Sequence, residues 1–282
     1  MLMEYDRSSA GLEKKSIPLD FGEMVYLEND VKSDVTLVLI HGFGGNKDNW
    51  SRMVEDLDDK YHVIVPDLPG HGESTSTPGL GYTTTQQAQY FTAFIKAKKI
   101  KNFHIVGHSM GGAIALRYAN DNRENVTSLI LIDAMGMHKT KSLGDILVEE
   151  SELNPLYDVC TKERLETLLT YSMSKMPYIP DMFKDVMLAE KCERRALEKV
   201  MYADMFKDVK LDDIVKSITV PTLILWGEKD AIIHVDNATL FHDAIKKSTL
   251  VIFDELGHVP IMEDPQKTAG AIDGFIQNYK AK

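Results

Sequence analysis

The sequence predicts an α/β fold: a doubly wound, mostly parallel sheet of about eight strands with an all-helical insertion. Short apolar runs alternate with amphipathic stretches along most of the 282 residues. Continuous apolar runs of this length are typical of strands buried on both faces of a parallel sheet. The alternation breaks once, between about residues 137 and 211, where only helical periodicities are found. This length suits a single α/β domain that carries an insertion.

The apolar runs are the predicted strands. Near the N-terminus, two segments around Gly22 have the pattern of an antiparallel hairpin. Further runs follow at 35–41, 61–67, 103–109, 126–133, 220–227 and 248–255. Apolar residues at helical spacing lie between them, for example Trp50, Met53 and Leu57. Regular alternation of strand and helix indicates a doubly wound sheet.

The helical stretch divides the chain into two parts. We expect residues 1–136 and 212–282 to form the core that carries the sheet, and residues 137–211 to form a helical cap. Open α/β sheets bind ligands beyond the carboxyl ends of their strands. A cap inserted after the sixth strand would therefore lie over the ligand site and enclose it.

The predicted cap is rich in methionine, because eight of the 14 methionines lie between residues 135 and 205. Methionine is flexible and polarisable, so it fits irregular apolar ligands. Packing of the cap helices onto one another explains at least half of these residues. We expect others to line the pocket of an apolar ligand, whose predicted members are Met135, Met173, Met176 and Val259.

Composition narrows the class of protein. The 43 acidic side chains exceed the 32 basic ones and give a formal charge of −11, which argues against nucleic-acid binding. No apolar run approaches the roughly 20 residues that span a bilayer, and the first residues lack a signal-peptide pattern. Cys160 and Cys192 show neither zinc-ligand spacing nor a disulfide framework. We therefore expect free thiols, no transmembrane anchor and a cytoplasmic location.

Residues 107–111, GHSMG, follow a predicted strand and open a predicted helix. The pattern G-x-S-x-G at such a place forms a sharp turn that exposes the serine hydroxyl above the sheet. Glycine on either side avoids a clash in the crowded turn, and the helix directs the positive end of its dipole at the reacting centre. The pattern alone also fits an ordinary glycine-rich turn, but its placement favours Ser109 as a nucleophile.

Five motifs in a fixed order resemble those of the α/β-hydrolase family. They are HGFGG (41–45), DLPGHGES (67–74), GHSMGG (107–112), WGEKD (226–230) and GHVPIMEDP (257–265). Together they extend over nearly the full length of the chain, and five in order are far more specific than one. Within that family the chain is most similar to capped serine esterases and lipases, in particular monoacylglycerol lipases and related bacterial carboxylesterases.

The resemblance implies a catalytic triad. A serine hydroxyl needs a general base beside it, and the family order of serine, acid and histidine points to His258 after the last predicted strand. The acid is expected at Asp230, just past the strand TLILWG. Asp133 is a rival, because it also ends a strand. We favour Asp230, since WGEKD followed 28 residues later by GH is the commoner pairing in capped members.

Negative charge that develops on the substrate carbonyl oxygen needs pre-aligned donors. The resemblance implies the backbone N–H groups of Phe43, in the loop after the strand VTLVLI, and of Met110, directly after the serine. The chain shows no dinucleotide fingerprint, phosphate-binding loop or histidine-rich metal cluster. We therefore expect neither a cofactor nor a metal.

These features predict a serine carboxylic-ester hydrolase that acts through an acyl-enzyme on short- to medium-chain or monoacylglycerol esters. Its partner is a small ester with an apolar acyl group, and the apolar cap would allow transient contact with a lipid surface. The same triad also serves carbon–carbon bond hydrolases and cofactor-free perhydrolases. Carbon–carbon hydrolases usually hold a carboxylate with a cap arginine, for which Arg164, Arg194 and Arg195 are available. A ligand-sensing protein on the hydrolase fold is a further alternative, disfavoured by the complete triad.

Overall fold

An eight-stranded sheet forms the centre of the computed structural model, which describes residues 2–77, 79–142, 145, 149 and 154–280. The strands are β1 Leu12–Leu19, β2 Gly22–Asn29, β3 Thr36–Ile40, β4 His62–Pro66, β5 Phe103–His108, β6 Val126–Ile132, β7 Thr222–Gly227 and β8 Ser248–Phe253. They lie side by side in the order β1-β2-β4-β3-β5-β6-β7-β8. Strand β2 runs antiparallel to both of its neighbours, and the remaining pairs are parallel. The predicted fold class is confirmed.

Helices connect and cover the strands. Those in the described residues are α1 Leu2–Ser9, α2 Ser51–Glu55, α3 Thr84–Lys98, α4 Met110–Asp121, α5 Lys162–Ser172, α6 Asp181–Met205, α7 Asp212–Ser217, α8 Asp236–Ala244, α9 Pro260–Glu263 and α10 Pro265–Lys280. The first turn of α3 shows how particular residues determine where a helix begins. The Thr83 hydroxyl accepts a hydrogen bond from the backbone N–H of Gln86, and the Gln86 side chain caps the N–H of Thr83 in return.

The core lies on both faces of the sheet, because alternate residues of a strand point to opposite sides. In β3, Val38 and Ile40 belong to the buried cluster that includes α3 and α4. Leu37 and Leu39 belong to the opposite cluster, which includes α2 and α10. Both sets are apolar, so β3 reads as a continuous apolar run. Burying each such side chain stabilises the fold by about 1.5–3 kcal/mol.

The long connection between β6 and β7 carries α5, α6 and α7, and its described residues contain no strand. We call residues 137–211 the insertion. Helix α6 contacts the loop after β4, where the Arg194 guanidinium donates to the carbonyl oxygen of Gly70. Beyond the end of α6, the Asp208 carboxylate accepts from the backbone N–H of Thr84, at 2.8 Å. The division into core and cap at residues 136/137 and 211/212 stays a prediction.

The two cysteines are joined in a disulfide, so the prediction of free thiols was wrong. Cys160 precedes α5 and Cys192 lies within α6, and their Cα atoms are 4.6 Å apart although the residues are 32 positions apart in sequence. The packing of the two segments brings the cysteines together, and the spacing of the cysteines in the sequence does not predict this. Disulfides persist mainly in oxidising compartments. The expectation of a cytoplasmic location, which rested in part on reduced thiols, therefore loses that part of its support.

Candidate active site

The turn at Ser109 joins β5 to α4. The backbone of Ser109 has φ 54° and ψ −119°, a conformation rare for a residue with a side chain. Its neighbours pass too close for any Cβ atom. A Cβ on Gly107 would lie 2.3 Å from the carbonyl oxygen of Gly111, and one on Gly111 would lie 2.3 Å from that of Ile40. Glycine at both positions is therefore a steric requirement of the turn.

Three side chains from distant parts of the sequence are hydrogen-bonded in a row. The Ser109 hydroxyl lies 3.0 Å from Nε2 of His258, and Nδ1 of His258 lies 2.8 Å from Oδ2 of Asp230. All three residues are buried. With Nδ1–H donating to the carboxylate, the lone pair of Nε2 faces the hydroxyl. This arrangement can take a proton from the serine and stabilise the resulting imidazolium.

Asp230 is held by the loop that follows β7. Its Oδ1 atom accepts the backbone N–H groups of Ile232 and Ile233, at 2.8 and 2.9 Å. The side chain is thus pinned on one oxygen and presents the other to His258.

Two residues outside the predicted triad hold the His258 loop. The carboxylate of Glu263 accepts the backbone N–H groups of Gly257, Val259 and, from the insertion, Lys175. The His108 Nε2–H donates to the carbonyl oxygen of His258, at 2.7 Å. Burial, followed by the neighbouring His258, lowers the pKa of His108 to about 3, so the ring is neutral.

Both residues lie inside motifs of the sequence, His108 in GHSMGG and Glu263 in GHVPIMEDP. Their positions within these motifs could have indicated that both residues lie near Ser109 and His258. Their partners could not have been inferred, because these include backbone groups far away in sequence. The insertion also contacts the loop directly, since the N–H of His258 donates to the carbonyl oxygen of Ser172, at 2.9 Å.

Asp133 follows β6 and lies close to the acid. Its Oδ1 accepts the backbone N–H of Gly227, at 2.9 Å. One ligand-type atom each of Asp133, Asp230 and His258 lies within 4.8 Å of the other two. Among the described residues, these three form the cluster that could hold a metal ion. However, Nδ1 of His258 and Oδ2 of Asp230 are already hydrogen-bonded to each other. Of the two candidate acids, Asp230 is the one hydrogen-bonded to the histidine.

The loop after β3 approaches the serine from the other side. Phe43 and Met110, whose N–H groups are the predicted oxyanion donors, both line the cavity next to Ser109. Beyond the loop, the buried Lys47 bonds Asp67 twice, through its backbone N–H and through Nζ, each at 2.7 Å. Burial acts to lower the pKa of Lys47, but the carboxylates around it outweigh burial and raise that pKa. The ammonium group therefore stays charged and ties the β3 loop to the β4 loop.

A cavity of about 210 Å³ opens beside the Ser109 side chain. Its apolar lining includes Phe43, Met135, Leu156, Met205, Phe206 and Ile233, and its polar lining includes Asp145, Glu149 and Asn154. Core and insertion both contribute to the wall.

Of the four predicted pocket residues, Met135 lines this cavity and the other three do not. Met173 is buried in a separate cluster with Leu165 and Leu169, and Val259 packs against that cluster. Met176 is 39% exposed. Met173 follows the last residue of α5 and packs with apolar side chains of that helix, a placement that helical spacing alone does not predict.

The three arginines that were available for a carboxylate clamp have other partners. Arg194 donates to Gly70, Arg195 bonds the Asp158 carboxylate at 2.6 and 2.9 Å, and Arg164 donates to the backbone carbonyl of Asp158. None of the three lies among the residues that line the cavity in the described part of the chain. A carbon–carbon hydrolase site is therefore not favoured.

Comparison with known proteins agrees with this geometry. Residues 35–156 match the family model described as the alpha/beta hydrolase fold. The chain is 35% identical over 286 residues to Lipase 3 of Moraxella sp. (strain TA144), covering 99% of this chain and 89% of that protein. It is 29% identical over 254 residues to the human monoacylglycerol lipase ABHD6, covering 86% of this chain and 75% of that protein.

Among solved structures, a membrane phospholipase A described as a novel bacterial virulence factor superposes with a TM-score of 0.95. The two chains are 33% identical, and the match covers 100% of this chain and 91% of the other. The described helices include none that is long and apolar enough to cross a membrane. The order of strands, the serine turn and these similarities lead to one conclusion: this chain belongs to the α/β-hydrolase family.

Proposed function

We propose that this protein, a serine ester hydrolase of the α/β-hydrolase family, cleaves monoacylglycerols and other short- to medium-chain acyl esters through an acyl-enzyme. The hydrogen-bonded row of Ser109, His258 and Asp230 at the edge of a largely apolar cavity carries this proposal. The similarity to lipases supports it independently.

In the first half of the reaction, Ser109 Oγ attacks the carbonyl carbon of the ester while Nε2 of His258 takes the hydroxyl proton. The Asp230 carboxylate stabilises the imidazolium through Nδ1–H. The negative charge on the former carbonyl oxygen is held by the N–H groups of Phe43 and Met110. A single donor of this kind contributes about 3 kcal/mol to the stability of the transition state in other hydrolases.

Collapse of this tetrahedral intermediate breaks the bond to the alcohol, which leaves with the proton from His258. The acyl group remains on Ser109 as an ester. Water then attacks that ester with His258 as the base, and the same donors stabilise the second oxyanion. The products are a carboxylic acid and an alcohol, and the three side chains return to their starting protonation.

The lining of the cavity favours a neutral ester with an apolar acyl group. Side chains such as Met135, Leu156 and Ile233 suit an alkyl chain. Asp145 and Glu149 line the same cavity, where carboxylates accept hydrogen bonds from hydroxyl groups and repel anions. A glycerol headgroup fits these contacts better than a phosphate-bearing one. The proposed preference is therefore for monoacylglycerol over lysophospholipid of the same chain length.

A panel of nitrophenyl esters of increasing chain length, with monoacylglycerol and lysophospholipid of equal acyl length, tests the proposal. We expect a sharp optimum of kcat/KM against acyl length and faster turnover of monoacylglycerol. Ser109→Ala should lose at least about 10⁴-fold in kcat while its thermal unfolding stays cooperative. Full activity of that variant, or failure of a fluorophosphonate probe to label Ser109, would exclude the mechanism and leave the sensor alternative.

The insertion carries the surface that we propose for transient contact with lipid. Tyr178 is 90% exposed, and Met176, Met182 and Val186 are exposed on the same segment. Lys175 directly precedes Met176, and Lys184 lies between Met182 and Val186, so the segment places cations beside apolar groups as lipid-surface segments do.

Cosedimentation with anionic phosphatidylglycerol vesicles tests this contact. We expect a double substitution, Tyr178→Ser with Met182→Ser, to reduce the bound fraction several-fold while hydrolysis of a soluble nitrophenyl ester changes little. Equal binding of the variant and the unaltered protein would count against the surface.

A further inference from the structure

Two carboxyl groups are buried side by side behind the histidine. Asp133 lies at the end of β6 and Asp230 in the loop after β7, and both side chains are essentially inaccessible to solvent. Their oxygen atoms, taken with a ring nitrogen of His258, form the cluster that spans 4.8 Å. Two ionised carboxylates at this separation in a buried site repel each other strongly, so one of them carries a proton.

The hydrogen-bond donors around the pair indicate which one. Asp230 accepts three donors: the N–H groups of Ile232 and Ile233, and Nδ1–H of His258. Asp133 accepts one, the N–H of Gly227, on Oδ1. Its Oδ2 atom is buried with no hydrogen-bond partner. A carboxylate oxygen buried in this way is costly, whereas a protonated Oδ2 becomes a donor and can use the adjacent carboxylate as its acceptor.

From this arrangement we propose that Asp133 is a neutral carboxylic acid that donates its proton to Asp230, positions Asp230 for His258, and supplies a reserve carboxylate to the histidine. The inference rests on the proposed function and adds a positioning residue to it. Burial, and next the charge of Asp230, raise the pKa of Asp133 well above its usual range, in agreement with a neutral group.

The backbone makes the placement of Asp133 rigid. Its N–H donates to the carbonyl oxygen of Leu225, at 3.0 Å, and two residues later the N–H of Met135 donates to the carbonyl oxygen of Ser109, also at 3.0 Å. Asp133 is therefore fixed between β7 and the serine turn. The rigidity means that loss of Asp230 leaves Asp133 in place, where it can ionise once the neighbouring negative charge has gone.

A double-mutant cycle tests the reserve role, using Asp133→Asn and Asp230→Ala. Asparagine keeps the shape of Asp133, accepts from Gly227 and donates to Asp230, but it cannot become a carboxylate. In the unaltered background we expect Asp133→Asn to lower kcat about threefold. In the Asp230→Ala background we expect the same substitution to lower kcat by a further tenfold or more, because His258 then loses its last carboxylate.

Equal factors in the two backgrounds, within about twofold, would overturn the inference. Thermal unfolding of all four proteins shows whether each is folded, and turnover is normalised to the fraction of serine that a fluorophosphonate probe labels. The proposed function has its own readout, since it fails if the unaltered protein does not hydrolyse esters. If the unaltered protein hydrolyses esters but the effects of the two substitutions on kcat are independent, only the role of Asp133 is refuted.

A second variant measures positioning without touching Asp230. Asp133 is faced by Asp230 from the β7 loop and by Glu263 and His258 from the segment after β8, with the neutral His108 beside His258. Removing the donor in Asp133→Ala leaves more negative charge on Asp230, so the acid limb of the kcat/KM profile should move to higher pH. The asparagine variant, which keeps a donor, should shift the limb less. If the acid limb of the kcat/KM profile lay at the same pH in the alanine and asparagine variants, a hydrogen bond from Asp133 to Asp230 would be contradicted.

Discussion

The two walls of the cavity are held in place by different interactions. On the core wall, backbone atoms approach one another so closely that Gly107 and Gly111 leave no room for a side chain. The insertion wall is stabilised by side-chain pairs, which are the ion pairs of Lys191 with Glu198 and of Arg195 with Asp158, and the disulfide. Away from the cavity, apolar side chains of α6 such as Met182 and Val186 remain exposed to solvent.

This difference indicates which part of the molecule sets which property. A backbone turn with no free space has few alternatives, so the core wall fixes the position of the Ser109 hydroxyl. The side-chain pairs of the insertion lie outside the row of Ser109, His258 and Asp230, so exchanging one of them replaces none of its three hydrogen-bonded side chains. The insertion wall is therefore the part in which the acyl specificity of the enzyme would vary while the reaction stays the same.

The largest effect is expected from Gly111→Ala on the core wall. The new Cβ would lie 2.3 Å from the carbonyl oxygen of Ile40 and 2.7 Å from that of His41, and neither backbone group can move freely. We expect the free energy of unfolding to fall by about 3 kcal/mol and kcat to fall by about 100-fold or more as the turn shifts. Urea unfolding and ester turnover measure the two effects.

Gly270→Ala is the matched control. Gly270 lies in α10, and a Cβ there would have no neighbour within 4 Å. Alanine is the better helix former, so this variant should gain about 0.5–1 kcal/mol in the free energy of unfolding. If Gly111→Ala behaved like this control, the steric account of the turn would be wrong.

A smaller effect on activity is expected from the insertion wall when the disulfide is removed. Cys160→Ser with Cys192→Ser opens a loop of 32 residues, and loop-closure entropy predicts a loss of about 3–4 kcal/mol in the free energy of unfolding. We expect amide exchange to accelerate mainly in the insertion, while turnover of a short nitrophenyl ester falls less than tenfold.

Reduction of the unaltered protein with dithiothreitol should reproduce the effect of the double substitution, because Cys192 is exposed. The variant itself should not respond to the reductant. Faster exchange throughout the β-sheet, or loss of activity as large as that of Gly111→Ala, would show that the two walls are not independent.

Much of the site could be predicted because its requirements are local. The strands on which it rests are apolar on both faces, and the serine turn needs glycines at set distances. The predicted Ser109, His258 and Asp230 are hydrogen-bonded in the structure. The choice between the two acids could be argued only from family order, because Asp133 and Asp230 both follow strands. No local sequence pattern indicates which of the two carboxylates lies within hydrogen-bond distance of the histidine.

The amino-acid sequence by itself determined the order of strands and helices, the steric form of the serine turn and the set of motifs, because each depends on residues near one another in the chain. Only the tertiary structure decided the pairing of Cys160 with Cys192, the proton on Asp133 that we infer, and the turning of Met173 and Val259 away from the cavity. Those features depend on which surfaces pack together, and packing joins residues whose separation in sequence carries no periodic pattern.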